Sequence, residues 1–206
     1  MKFCTILFAI ILSCLTASAA LIPGLDSGPL QVAVGAYAYN YSAEITGGER
    51  LDPTATNGVT CPSSNGALVQ CSPAGTFFTI YDFAGFIAVT GLPAGWSAVT
   101  NMLGVTPSAV IQQVIDNPNI ANVTFFYSGP VVNGDATIKG FQILSSFNAL
   151  SASGSFSSQS TRTDHAVDGT TDQLVGSVAV PVAIPEPGSL AFMGLGLTAL
   201  LAWRKR

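Results

Sequence analysis

The sequence predicts an all-β domain, an antiparallel sandwich or jelly roll with one short helix, set between an N-terminal signal peptide and a C-terminal transmembrane helix. Three observations carry this. Tyr37, Tyr39 and Tyr41 recur at every second residue within QVAVGAYAYNYSAEI (31–45), the period of a strand with one aromatic face. Further short runs rich in Phe, Ile, Val and Tyr are separated by Gly, Pro and Asn clusters, the spacing of a sandwich. Two apolar runs close the chain at its ends, 3–15 and 190–203.

Residues 1–19 read MKFCTILFAIILSCLTASA. Lys2 is a short positive start, the following run is too short to span a bilayer, and Ala17 and Ala19 are the small residues a signal peptidase reads. Cleavage is expected after Ala19, with the next bond almost as suitable. Cys14 in Ile-Leu-Ser-Cys offers a looser lipobox reading, with bulky Leu12 where a small residue is usual. Export through the Sec translocon follows, and with it an oxidising compartment.

Residues 20–184 are the size of one domain. Only 9% of the 206 residues are charged, against roughly 25% in a typical soluble protein. Within 20–184 three bases (Arg50, Lys139, Arg162) face ten acids, a net −7. No basic cluster is available to neutralise phosphates, so nucleic acid is not an expected partner. Strands are expected at 31–45, 76–89, 96–103, 122–128, 141–147, 154–162 and 176–182. Ser151 to Thr163, SASGSFSSQSTRT, reads equally as an edge strand with a polar face or as a mobile loop, and its hydroxyls are candidate glycan sites. The one helix is expected after Thr106 as cap and Pro107 at the first helical position. Val110, Ile111, Val114 and Ile115 form its apolar stripe, and Asn117-Pro118 ends it. Cys61 and Cys71 remain after signal removal and are expected to form a disulfide in a Gly/Pro/Ser-rich turn.

Chemistry-bearing groups are sparse. His165 is the single histidine, and no G-x-S-x-G elbow accompanies it. The sequence therefore predicts a non-enzymatic protein without a cofactor. Asp164, Asp168 and Asp172 recur at every fourth residue in a glycine-containing stretch. As a calcium site they are weak candidates, and a solvated loop is the simpler reading. Tyr37, Tyr39, Tyr41, Phe77, Phe78 and Trp96 would serve as a sugar-stacking surface if exposed, or as core if buried.

The chain ends IPEPGSLAFMGLGLTALLAWRKR (184–206). Fourteen residues, 190–203, would rise about 21 Å as a helix, short of a hydrocarbon core of about 30 Å. Arg204, Lys205 and Arg206 would stay cytoplasmic by the positive-inside rule. A weak span of this kind suits a handle for a processing enzyme. Pro185-Glu186-Pro187, an apolar segment and a terminal basic cluster, in that order, resemble the PEP-CTERM sorting signal of exosortase substrates. The resemblance implies a membrane exosortase as partner, acting near Pro185, Glu186 and Pro187, with 190–203 as a transient membrane tether. It also implies a Gram-negative-type host, export to the cell surface or extracellular space, and association with exopolysaccharide or biofilm matrix. The two prolines would hold the recognition stretch extended.

The domain ahead of the signal, through TFFTIYDFAGF, GLPAGWS, NVTFFYSGP and TDQLVGSVAVPVA, is similar to other exported β domains of such substrates, which implies no activity. The leading expectation is a surface or matrix protein. A carbohydrate- or calcium-binding adhesin is the alternative, and a secreted hydrolase ranks last.

Overall fold

The structure, a computed structural model, describes residues 21–54, 59–62, 68–70, 75–107, 110–163 and 169–183, without the side chains of 59–62 and 68–70. The expected signal peptide (1–19, with Ala17 and Ala19) lies outside the described residues, as do Cys71, Asp164, His165, Asp168 and the sorting signal from residue 184 on. No helix among the described residues is long and apolar enough to cross a membrane.

Two antiparallel sheets make the body. The first has four strands: β1 (Leu21–Ala33), β2 (Ala36–Ile45), β12 (Ala136–Ser145) and β7 (Phe86–Gly91), in the order β1-β2-β12-β7. The second runs β11 (Val132–Asn133), β3 (Glu49–Leu51), β13 (Ala149–Arg162), β6 (Phe77–Ile80), β10 (Asn122–Tyr127) and β8 (Trp96–Asn101). There β14 (Thr171–Val182) pairs β13 along nearly its whole length, from Ala149↔Val182 to Thr161↔Thr171. A third, small sheet orders β5 (Leu68–Gln70), β4 (Val59–Pro62) and β9 (Thr106–Pro107).

The alternation read from the tyrosines builds the core. Tyr39, Tyr41, Ala43 and Ile45 of β2 are fully buried and point to the second sheet. Phe141 of β12 is the joint: its ring lies 5.1 Å from Phe78, 5.0 Å from Phe125 and 5.0 Å from Trp96, with all three contacts edge-on. Edge-to-face geometry sets the positive rim of one ring against the negative face of another, adding to the burial energy. The two sheets thus face each other across one aromatic core, as a sandwich.

Several expectations change. The 31–45 segment is two strands, because Val34-Gly35 turns the chain and Gly35 takes φ 72°. The 76–89 segment also divides, into β6 and β7 in different sheets, at a corner where Asp82 (φ 54°) and Gly85 (φ 65°) both adopt left-handed backbone. The expected helix is reduced to one three-residue 3-10 turn, Ile111–Gln113, with no side-chain cap. Thr106 and Pro107 are the strand β9, paired with Thr60 and Val59. Thr106 is held there because its hydroxyl is 2.6 Å from that of Tyr81 in the protein interior, a partner that lies far off in sequence.

Ser151 to Thr163 is a strand and not a loop, an edge with β14 alone beside it at its start and a central strand from Phe156 on. Most of it belongs to β13, which has β14 on one flank and β6 and β3 on the other. Ser157, Ser158, Gln159, Ser160 and Thr161 are all buried, which withdraws them as glycan sites.

Candidate functional site

The functional element that the sequence singles out follows directly from β14. Val178 and Val180 face the core, and the Tyr41 hydroxyl donates to the Ala179 carbonyl at 2.8 Å, so the strand is fastened until just before it ends. Burial raises the Tyr41 pKa, with Tyr39 adding to it, which keeps the phenol a donor at any physiological pH. Val182 pairs with Ala149, Ala183 is the last residue described, and in the sequence Ile184 alone separates it from Pro185, Glu186 and Pro187. Arg204, Lys205 and Arg206, like these three, lie outside the described residues.

A cleft of about 510 Å³ opens beside this departure point, lined by Phe83, Phe86, Met102, Ile120, Phe147 and Ala183 among others. Among the described residues that line it none is titratable, and Thr100 supplies the one hydroxyl. A second depression nearby, about 320 Å³, brings Asp82 together with Ser151, Ser153 and Ser155. Burial raises the Asp82 pKa, and neighbouring Asp116 raises it further, against the Asn117 backbone N–H that donates to its carboxylate. Asp82 is the one ionisable side chain among the described residues that line it.

The other candidates disperse. Asp172 lies 3.6 Å from Arg162, a half-exposed ion pair, while Asp164 and Asp168 lie outside the described residues. Among the described residues, no three His, Cys, Asp or Glu side chains converge on a point that could hold a metal ion. Cys61 sits in β4 opposite Val69, but its side chain and Cys71 are not described, so the expected bridge lies outside the described residues. Burial removes five of the six rings of the expected sugar-stacking surface and leaves Tyr37 half-buried. Tyr39, Tyr41, Phe77 and Phe78 are fully buried and Trp96 is 7% exposed, so these rings are structural.

Two polar arrangements escaped the sequence reading. On the outer side of the second sheet, the Tyr81 hydroxyl meets Thr106 Oγ1 (2.6 Å), Ser157 Oγ (2.7 Å) and the Val105 carbonyl (3.1 Å). Thr79 Oγ1 donates to the same carbonyl (2.6 Å) and lies 2.9 Å from Thr124 Oγ1. Burial dominates the Tyr81 phenol, pushing it up to about 12 even though the hydroxyls of Ser157 and Thr106 favour the anion. All these groups are buried, so the cluster is a fastening for the 104–107 segment and offers no access to a substrate. A threonine amid the apolar residues of FFTI (77–80) was the available signal.

The second arrangement is a row on the solvent side of the first sheet that crosses all four strands. Thr90 Oγ1 donates to Gln142 Oε1 (2.8 Å), Gln142 Nε2 to Asn40 Oδ1 (2.8 Å), and Asn40 Nδ2 to Ser27 Oγ (3.1 Å). Beside it Ser42 Oγ donates to Asp26 Oδ1 at 2.7 Å. The pairs Gln142↔Asn40 and Gln142↔Gly91 show how strand register aligns the row.

Comparison with known proteins bears on the end of the chain. Residues 183–206 match the family described as PEP-CTERM protein-sorting motif. No curated protein and no solved structure matches the chain. The match begins at Ala183, where the described fold stops, and covers the Pro-Glu-Pro triplet, the apolar run and the basic end. The chain carries a PEP-CTERM protein-sorting motif, which implies an exosortase-processed surface protein, exported and held at a membrane before its release.

Proposed function

We propose that this protein is a non-enzymatic component of the cell surface or extracellular matrix of a Gram-negative-type bacterium, where it associates with exopolysaccharide after exosortase processing. The observation that carries this reading is the sorting motif at 183–206, placed directly after the strand that ends the sandwich. The Sec-type signal at 1–19, cut by signal peptidase, supplies the export step. The polar row of Thr90, Gln142, Asn40 and Ser27 supports association with a polysaccharide. It presents amides and hydroxyls on an exposed sheet face, groups that exchange hydrogen bonds readily with sugar hydroxyls.

Intact mass of the protein recovered from wild-type and exosortase-deleted cells tests the reading. Wild-type material is expected to have lost the segment beyond the Pro185–Pro187 region, and deleted cells to retain it. Co-sedimentation with exopolysaccharide from the same host is expected for the released form. Mature protein from wild-type cells that still carries Trp203 and Arg204 to Arg206 would refute the processing. Release without any co-sedimentation would refute the matrix role alone.

A further inference from the structure

The end of the sandwich from which the chain departs differs chemically from the opposite end. Val182 closes β14 against Ala149. Ser145 closes β12 between Tyr37 and Phe86. The Tyr39 hydroxyl donates to the Phe147 carbonyl at 2.7 Å. These registers place the β1–β2 turn, the turn after β12 and the departure at Ala183 on one side of the molecule. Beyond Tyr37 the hairpin loses β12 as neighbour, and its tip is paired only with itself, through Ala33↔Ala36.

Leu30, Val32 and Val34 on that hairpin are 60%, 50% and 99% exposed and recur at every second residue. Ile87, Met102 and Leu150 are exposed around the same end, next to Phe86, on the cleft that holds Ala183, and opposite Pro181 respectively. No residue from 27 to 43 is charged. The far end carries the Arg50–Asp52 pair (3.1 Å), the Arg162–Asp172 pair, and Asp135, whose carboxylate accepts from the Gly47 N–H, so its exposed Ile22 and Val131 stand among charges. Asp82 and Asp116 are the acids nearest the departing end, and both accept backbone hydrogen bonds, from Asn117 and Gly104.

Exposed branched aliphatics on a charge-free projection are costly in water and mark a contact surface. The position of the tether identifies what makes the contact. Six residues, 184–189, separate Ala183 from the apolar run at Leu190. At no more than about 3.6 Å per residue they keep this end within about 25 Å of the bilayer that the run enters. We propose that, while the chain is tethered, the tip of the β1–β2 hairpin inserts Leu30, Val32 and Val34 into the lipid interface. The sandwich then stands end-on, with its charged end away from the membrane. Tyr37, at the base of the hairpin, is a residue type suited to the headgroup level. The absence of charge on the tip spares it repulsion from anionic lipids, which an acidic surface would meet. This seating rests on the membrane-tethered reading of 183–206. It would hold Pro185, Glu186 and Pro187 at the membrane surface, within reach of a membrane enzyme.

Tryptophan fluorescence of the signal-processed chain ending at Arg206, in phosphatidylcholine vesicles with and without brominated acyl chains, tests the seating. Val34→Trp is compared with Lys139→Trp, at an exposed site on the solvent side of the first sheet, and each with the parent, which contains Trp96 and Trp203. Val34→Trp is expected to add a blue-shifted emission quenched by brominated lipid at least twofold more than the signal added by Lys139→Trp. Equal quenching of the two overturns the proposal. Vesicle flotation reads the tether separately. A chain that does not float overturns tether and seating together, whereas a floating chain with Val34→Trp unquenched overturns the seating alone. Self-association in detergent that Val34→Glu abolishes, without lipid quenching of Val34→Trp, would assign the hairpin to a second copy and overturn the proposal.

Discussion

Tyr81 shows how much a single buried hydroxyl can organise. Its phenol is the hub of a cluster that ties β6, β13 and β9 together, with Thr106, Ser157 and the Val105 carbonyl in reach. Removing the oxygen takes one hydrogen bond from each of these buried partners, and an unmet buried polar group costs about 1–3 kcal/mol. Tyr81→Phe is therefore expected to lower the unfolding free energy by about that amount, read as a lower urea midpoint at unchanged slope. Gly104 is part of the same fastening. A Cβ there would lie 2.3 Å from the Tyr81 ring, so the 104–107 segment can lie against the tyrosine only with glycine at this position. The carboxylate of Asp52 illustrates a different balance. Burial raises its pKa, but hydrogen bonds from Thr54 and the Arg50 guanidinium outweigh that and hold it below the usual range. The stabilisation it brings is present above the ordinary carboxylate pKa and is lost as the pH falls through its lower native value.

Among the elements, β13 departs furthest from what its composition suggests. Serine, glutamine and threonine populate an edge or a loop in most proteins, yet from Ser157 to Thr161 this strand is buried on both faces. Partners far off in the sequence satisfy three of these five side chains, while Ser160 Oγ and Thr161 Oγ1 are buried without a hydrogen-bond partner among the described residues. Ser158 donates to the Leu21 carbonyl, Ser157 approaches the Tyr81 hydroxyl, and Gln159 donates to the Gly75 carbonyl. Its beginning is different, with Ser153 exposed and its hydroxyl next to that of Ser151. If the strand is glycosylated on the folded protein, the sugar is expected at Ser153 and never between Ser157 and Thr161. Peptide mapping by mass spectrometry of the exported protein checks this. The lost helix has the matching explanation. Its apolar stripe at Val110, Ile111, Val114 and Ile115 had the right spacing, but pairing of Thr106-Pro107 with β4 takes up the residues that would have started it.

At the scale of the whole molecule, one aromatic core joins the two sheets, and Phe141 is its centre. Truncation there removes contacts to rings of three strands of the opposite sheet. Phe141→Ala is expected to cost about 3–5 kcal/mol. Because both sheets contribute to this one inter-sheet core, the variant is expected to lose near-UV and far-UV circular dichroism in a single coincident transition. Separate transitions would show that the sheets hold together independently. The ion pairs Arg50–Asp52 and Arg162–Asp172 lie at the end of this sandwich opposite the one from which the chain departs.

The amino-acid sequence by itself determined the sorting motif and the fold class. A Pro-Glu-Pro triplet, a short apolar run and a basic end are local patterns, readable without knowing what lies beside them in space. Strand periodicity is local too, and it predicted Tyr39 and Tyr41 on one face of β2. Only the tertiary structure decided which polar residues are inside and which apolar ones are outside. Burial of Ser157 to Thr161 depends on β14, β6 and β3 arriving from distant parts of the chain. Exposure of Val34 depends on where β12 stops pairing. Both are consequences of long-range register, which no window of neighbouring residues contains.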